Sequence, residues 1–238
     1  MDLNNTEMAG HQPADTRERI VRAAAQLLGV EGRQGVTTRA VAAHAGVQAP
    51  AIYRLFGDMD GLLDAVAEHL LQDYVSNKAK LDLDPDPVQD LQNGWDQQIA
   101  FNLAHPAVFR MMVSDPARAQ SPAAIAGSRI LKDKIGRVAR AGRLKVSEER
   151  AENMIRAASY GALLIILGQP ESERDHQLAE AAREAVFAAI IGEQGKPGAT
   201  AAVTAAITLK ASLGNQNAWS AAEKGLMREW LDRVIGAA

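Results

Sequence analysis

The chain has 238 residues, a mass of 25.4 kDa and a formal net charge of −3, from 26 basic and 29 acidic residues. It contains no cysteine. This excludes disulfides, thiolate zinc sites and a cysteine nucleophile, and it fits a reducing cytoplasm, where we expect the protein to act. Only ten residues are aromatic although 47% of the chain is apolar, so alanine and aliphatic side chains must fill the core. Because alanine favours helices over strands, the composition predicts an all-α protein.

The amino-terminal part of the chain begins with a polar segment. Residues 1–14 are predicted to be a disordered lead-in without the apolar core of a signal peptide. A capping pair, Asp15 and Glu18, is expected to open the first helix, whose apolar residues recur on one face. Gly32 and Gly35 are expected to end this helix.

Two short helices joined by a tight turn are predicted next. Thr37 or Thr38 can cap the first, and Gly46 suits the left-handed backbone of the turn. Pro50 falls in the first turn of the second, where its missing N–H costs nothing. This spacing is that of a helix-turn-helix. The outward side of the second short helix presents small or hydrogen-bonding side chains that can approach DNA in a major groove: Gln48, Ala49, Ala51, Tyr53 and Arg54.

Charge is distributed unevenly along the chain. Residues 15–57 contain six arginines against three carboxylates, a net charge of +3, whereas the residues beyond 57 total −4. Since neutralisation of phosphates supplies much of the affinity for DNA, a moderate affinity per monomer is expected. The arginines at positions 17, 19 and 22 are either contacts to the DNA backbone or simply solvated charges.

The remainder of the chain is predicted to be helical throughout. A long helix over about 59–81 leads to a linker at 83–88 that contains two prolines. Further helices are expected at about 87–104, 106–113, 121–141, 147–168, 174–192, 200–213 and 220–235. No apolar run approaches the roughly 18 residues that a membrane span needs, so no membrane partner is expected.

Two features of this second part point to binding. Its larger apolar side chains are candidates to line a ligand cavity, although such residues are more often ordinary core: Trp95, Phe101, Phe109, Met112, Met154 and Tyr160. The helices at 147–168 and 174–192 are apolar nearly all round, which predicts burial on every side. Burial of that kind suits either a four-helix homodimer interface or the centre of a monomer.

No pattern in the chain indicates catalysis, a metal or a cofactor. The histidines do not pair at metal-ligand spacings, and no serine stands in a G-x-S-x-G turn. Asp64, Glu68 and His69 share one helical turn and are interpreted as surface residues. The protein is therefore expected not to be an enzyme.

Residues 16–66 resemble the amino-terminal domain of the TetR family of transcriptional regulators. The resemblance is carried by G-x-x-G-V-T-T at 32–38, A-G-V at 45–47 and I-Y-x-x-F at 52–56. It implies a helix-turn-helix DNA-binding domain over 15–58 and a helical ligand-binding and dimerisation domain over 59–238. A homodimer would bind a palindromic double-stranded DNA operator, and a small-molecule effector would release it, as in a repressor.

The resemblance also assigns roles to residues. Thr38 and Tyr53 correspond to phosphate contacts, and the whole implied DNA-binding set is Thr38, Arg39, Gln48, Ala49, Pro50, Tyr53 and Arg54. Met59 stands where the family usually has lysine, so one phosphate contact is expected to be lost. Gln48 replaces the usual small hydroxyl cap. The weak basic charge and Met59 leave open an alternative, a helical small-molecule-binding protein or enzyme that keeps the helix-turn-helix only as a scaffold.

Overall fold

The structure is a computed structural model that describes residues 13–114, 120–175, 177–192, 201–215 and 218–236. Within these ranges the fold is all-α, as predicted, with no strand beyond an isolated bridge between Leu144 and Ile191. No helix in the described ranges has the length and apolar character to cross a membrane. The α-helices are α1 (Pro13–Gly35), α2 (Thr38–Ala45), α3 (Ala49–Phe56), α4 (Met59–Lys78), α5 (Pro87–Ala104), α6 (Pro106–Ser114), α7 (Pro122–Arg140), α8 (Glu148–Gly168), α9 (Leu178–Ile190), α10 (Ala201–Ser212) and α11 (Ala221–Gly236).

Three helix ends differ from the prediction. Helix α1 begins at Pro13, so the last two residues of the predicted lead-in are helical, and residues 1–12 lie outside the described part. Helix α4 ends at Lys78 rather than near 81. Helix α9 begins at Leu178 rather than near 174, because the Asp175 carboxylate accepts the backbone N–H of Gln177 and holds a turn before the helix.

The first core is formed by α1, α2, α3 and the beginning of α4. Its buried residues come from all four helices and include Ile20, Val41, Ile52, Leu62 and Val66. Local capping places the helices as the sequence suggests. The Thr37 side chain accepts the N–H of Ala40 at the start of α2, and the Asp58 carboxylate accepts the N–H of Gly61 at the start of α4.

The turn between α2 and α3 depends on a left-handed glycine. Gly46 has φ +63°, and the N–H of Val47 reaches back to the carbonyl of Ala42 at 3.0 Å. Arg19 of α1 donates from Nη2 to the Ala45 carbonyl at 2.6 Å and so ties this turn to the first helix. The crossing of α2 and α3 is therefore held by backbone geometry and by one side chain from α1.

A larger core lies among α5, α7, α8, α9 and α10. It includes Leu91, Trp95, Ile135, Leu163 and Phe187. Helix α4 contributes to a smaller cluster beside it, where Ala67, Leu71 and Val75 pack with α6 and α7 residues. Because α4 has buried residues in both halves of the molecule, the division predicted between residues 58 and 59 falls at the start of a shared helix and stays a prediction.

Helices α8 and α9 are not buried on all sides within one chain, so the alternative of two central helices of a monomer is wrong, and the dimer interface stays a prediction. Each packs one face into the larger core and leaves an apolar face exposed. Leu164 and Ile165 of α8 are 54% and 55% exposed. Helix α9 also exposes small residues, with the exposed Glu184 among them: Ala181, Ala185, Ala188 and Ala189. We call the two large apolar residues and the four alanines the α8–α9 face. Periodicity predicted the apolar character of these helices correctly but could not show which sides one chain covers.

The left-handed turn gives a stability prediction. Gly46→Ala places a Cβ at φ +63°, which costs an L-residue about 1 kcal/mol, so we expect a loss of about 1 kcal/mol in the free energy of unfolding. Gly225→Ala is the matched control, because its Cβ would lie in open space within helix α11. That change should raise the free energy of unfolding by about 0.5 kcal/mol. Urea denaturation measures both, and an unchanged or more stable Gly46→Ala variant would contradict the turn.

Candidate functional site

Helix α3 stands on the surface of the amino-terminal domain. Ile52 is fully buried, whereas Tyr53 and Arg54 beside it are exposed. Every residue of the predicted DNA-binding set reaches the surface. Arg39, Gln48, Pro50, Tyr53 and Arg54 are exposed, and Thr38 and Ala49 are half-buried. The set therefore forms one accessible surface across the start of α2 and the outer side of α3.

The two residues assigned to phosphate contacts meet each other. The Thr38 hydroxyl lies 3.1 Å from the Tyr53 hydroxyl, joining the start of α2 to α3. Both groups remain accessible to solvent, and Tyr53 is 50% exposed. A paired hydroxyl keeps further hydrogen-bonding capacity, so the pair can still contact a phosphate oxygen. The contact orients both side chains before any ligand arrives.

The three arginines of α1 make contacts within the chain. Arg19 binds the turn carbonyls, and the Arg17 guanidinium lies 5.1 Å from the centre of the Phe56 ring. Arg22 forms an i,i+4 ion pair with Glu18. These contacts favour a structural use of Arg17 and Arg19 over the contacts to DNA that the sequence left open.

The two departures from the family pattern have visible consequences. Gln48 makes no capping hydrogen bond at the start of α3, so its exposed amide is not committed to the helix end. Met59 is half-buried and packs against the amino-terminal core. An apolar side chain in that place adds packing where a lysine would offer charge.

A cavity of about 480 Å³ lies between α4, α5, α6, α7 and α8. This volume is in the range of sites for small organic molecules. Five of the six side chains predicted to line a ligand cavity do line it: Trp95, Phe101, Phe109, Met112 and Tyr160. That they bind a ligand stays a prediction.

Met154 does not line the cavity, contrary to the prediction. It is half-buried and packs against the larger core. Arg156 and Tyr160, which do line the cavity, lie four residues apart on one side of α8, whereas Met154 is rotated about 200° from Arg156 around the helix axis. Its residue type suited a pocket, but its position on the helix does not.

One end of the cavity carries a cluster of charged side chains that sequence reasoning missed. Lys78 of α4 donates from Nζ to the Tyr74 hydroxyl and to the Gly94 carbonyl of α5, each at 3.0 Å. Next to it, buried Asp90 accepts from Lys134 at 2.7 Å and from Arg137 at 2.5 Å. Three helices, α4, α5 and α7, thus meet through polar contacts at the end of α4.

The cluster changes the acidity of its members. Burial lowers the pKa of Lys78 to about 8, the charge of Lys134 lowers it too, and the charge of Asp90 opposes them. Burial alone would raise the pKa of Asp90. The hydrogen bonds from Lys134 and from the Asp84 amide, with the charges of Lys134 and Arg137, hold it below its ordinary value. Desolvation also raises the pKa of Tyr74, so its hydroxyl stays protonated.

The sequence offered little signal for this cluster. Lys78 and Gly94 are 16 residues apart, and Arg137 and Asp90 are 47 residues apart. A lysine, an aspartate or an arginine on an amphipathic helix is usually a solvent-facing residue. In the described part of the chain, no group of three or more metal-ligating side chains is close enough to hold a metal ion.

Comparison with known proteins shows which family the amino-terminal domain resembles. Residues 20–66 match the family described as bacterial regulatory proteins, tetR family. A 55-residue segment is 47% identical to the tetracycline repressor protein class C of Escherichia coli. The aligned segment covers 23% of this chain and 25% of that protein. The matching domain is the one that holds the Thr38–Tyr53 pair.

The amino-terminal domain of the chain is similar to the TetR-family domain.

The fold of about four fifths of the chain is similar to that of solved TetR-family proteins. A crystal structure of a TetR-family transcriptional regulator from Pectobacterium atrosepticum aligns with a TM-score of 0.58 and 20% identity, covering 79% of this chain and 100% of that one. The structure of SmeT, the repressor of the Stenotrophomonas maltophilia multidrug efflux pump SmeDEF, aligns with a TM-score of 0.51 and 21% identity, covering 79% and 98%. At these identities the likeness establishes the fold.

The Lys78 cluster predicts a pH dependence of stability. Between pH 8 and 10 the unfolded chain still carries the Lys78 proton that the folded protein has released, so stability contributed by this residue rises with pH. We expect the unfolding free energy of the wild type, relative to Lys78→Met, to increase by about 2 kcal/mol across this window. Urea denaturation at constant ionic strength measures it. A difference that stays flat or falls would contradict the burial of this ammonium group.

Proposed function

We propose that the protein is a homodimeric transcriptional regulator, a repressor that a small molecule releases from a palindromic DNA operator. The observation that carries the proposal is the exposed outer side of α3, joined to α2 by the Thr38–Tyr53 pair, within a TetR-family domain. In this proposal α3 enters the major groove, Arg54 and Gln48 reach base edges or flanking phosphates, and the hydroxyl pair contacts the backbone. The related tetracycline repressor supports the assignment as a repressor by its name.

The α8–α9 face supports the homodimer. Leu164 and Ile165 are large apolar side chains more than half exposed, and four alanines of α9 lie beside them. Small residues let helices approach closely, while the two large ones supply apolar area. In the proposed dimer this face meets its own copy across a two-fold axis, and four helices, two from each chain, bury it.

The position of helix α4 supports the proposal that a ligand in the cavity changes DNA binding. Leu62 and Val66 belong to the amino-terminal core, and the side chains of Leu71, Tyr74, Val75 and Lys78 line the cavity. A ligand that binds more tightly to a conformation with a displaced α4 shifts the population toward it. In a dimer, that displacement changes the separation of the two recognition helices, which must span adjacent turns roughly 34 Å apart.

The DNA-binding surface is tested by substitution in α3. With duplexes selected by the wild-type protein from a random pool, we expect Arg54→Ala to weaken binding about tenfold and to reduce the salt dependence by about one phosphate contact. Tyr53→Phe, which removes the hydroxyl that meets Thr38, should weaken binding about fivefold. Fluorescence anisotropy measures both affinities.

Arg228→Ala is the matched control, because Arg228 is an exposed arginine on α11, outside the TetR-family domain. Its affinity for the selected duplexes should equal that of the wild type. Equal affinity of the Tyr53 and Arg54 variants would remove α3 as the reading helix. Selection of no duplex at all, together with turnover of a bound compound, would favour the alternative of an enzyme that keeps the helix-turn-helix as a scaffold.

The dimer is tested on the α8–α9 face. Leu164→Glu puts a charge in the middle of the proposed interface, where burial would cost several kcal/mol, so we expect this variant to sediment as a monomer at micromolar concentration. The control is Leu226→Glu on α11, a leucine of similar exposure outside the face, which should leave the dimer intact. A wild-type monomer, or a Leu164→Glu dimer, would refute the interface.

A further inference from the structure

The wall of the cavity between α4 and α8 has one sign of charge. Among the described residues that line it, five are cationic and none is a carboxylate: Lys78, Arg129, Lys132, Lys134 and Arg156. Lys132 and Arg156 are balanced by Glu152, at 3.7 and 3.8 Å, and both keep considerable exposure. The charge that matters most to a bound molecule therefore lies at the more enclosed end, near the end of α4.

At that end three cations, Lys78, Lys134 and Arg137, lie around one buried carboxylate, whereas the carboxylates of Asp82 and Asp133 are exposed on the adjoining groove. Asp90 is 3% exposed, and its two oxygens bind Lys134 and Arg137. It also accepts the backbone N–H of Asp84 at 3.2 Å. One carboxylate thus contacts two cations directly. Lys78 is a third cation, which interacts with the charge of Asp90 and forms no ion pair with another described residue.

The ammonium group of Lys78 has neutral partners and a remaining proton. Of its three N–H donors, one goes to the Tyr74 hydroxyl and one to the Gly94 carbonyl. The group also lies 5.3 Å from the centre of the Tyr74 ring. One N–H donor remains for a ligand that enters the cavity. A single donor suits a ligand with one anionic oxygen to bind better than a phosphate group with three oxygens.

The rest of the cavity is aromatic and apolar. Tyr74 stacks on Phe101 with ring centres 4.2 Å apart, and Phe109 meets Tyr160 edge to face at 5.8 Å. Trp95 completes this set of rings along the wall. A molecule that satisfies the whole cavity therefore has an apolar or aromatic body and one anionic end.

We propose that the effector is an organic monocarboxylic acid, bound as its carboxylate to Lys78 with its apolar body against the rings of Trp95, Phe101 and Phe109. This proposal deepens the proposed function. It rests on that function in one respect, because a bound acid is an effector only if the protein is a regulator. A neutral ligand would add no counter-charge to that of the Asp90 carboxylate, which Lys134 and Arg137 already contact, and a cationic one would add a like charge beside Lys78 and Lys134. The carboxylate meets the α4 residue that is hydrogen-bonded to α5, so binding acts directly on the junction between these helices.

The test compares acids with their neutral isosteres. Decanoate, 4-phenylbutyrate and 2-naphthylacetate are titrated at pH 7 by isothermal calorimetry into DNA-free wild-type protein, each beside its primary amide. We expect at least one acid to bind about tenfold or more tightly than its amide, because a charge-assisted hydrogen bond in an enclosed site is worth that ratio. Lys78→Met should abolish the preference, Lys78→Arg should keep most of it, and Lys224→Met on α11 should leave it unchanged.

Three outcomes would overturn the proposal: amides that bind as tightly as their acids, an acid preference that survives in Lys78→Met, or no binding of any acid. Circular dichroism checks that Lys78→Met is folded. The same variants are assayed on the selected duplexes without ligand, where Lys224→Met on α11 should bind as the wild type does. A failure of all proteins to bind DNA would refute the proposed function, while the ratio of acid to amide affinities would still decide the chemistry of the cavity.

Discussion

The rest of the structure depends on one shared helix. Helix α4 buries Leu62 and Val66 in the core of the TetR-family domain and Leu71 and Val75 in the second half of the molecule. Between them Leu70 packs against both clusters. A 20-residue helix is about 30 Å long and packed side chains resist compression, so a displacement at one end must be accommodated at the other. The cavity and the amino-terminal core that carries α3 are thereby joined by one rigid element.

The two ends of α4 are fixed by different chemistry. At the beginning, Asp58 caps the helix with a carboxylate, a local interaction three residues long. At the other end, Lys78 crosses to the Gly94 carbonyl, beside the Asp90 ion pairs that bring α5 and α7 together. Partly satisfied buried charges are costly in a protein interior, and they are also the groups most readily changed by a ligand of opposite charge. This contrast suits an element that is fixed near DNA and adjustable near a ligand.

The sequence predicted the fold closely where local rules decide the structure. Gly46, Pro50 and the cap at Thr37 mark helix ends by their own local chemistry, and the structure places the ends there. Residue type also predicted part of the cavity lining. Five of the six side chains that we expected there line it, because large apolar side chains on these helices pack between helices rather than in solvent. The Lys78 cluster escaped prediction because its partners come from three separate helices. Periodicity predicted that α8 and α9 are apolar nearly all round, but it left open whether one chain or a second copy covers them, because it does not say how many faces are covered within one chain.

The central claim is that occupation of the cavity moves the recognition helices through α4. The chain has no cysteine, so His44→Cys, an exposed position on α2, provides one spin-label site per chain and one distance per dimer. Pulsed electron paramagnetic resonance measures that distance with and without a saturating carboxylate probe from the calorimetric series. We predict a shift of a few ångströms in the distance distribution, and no shift in the same protein carrying Lys78→Met. Identical distributions with the cavity filled and empty would contradict the account.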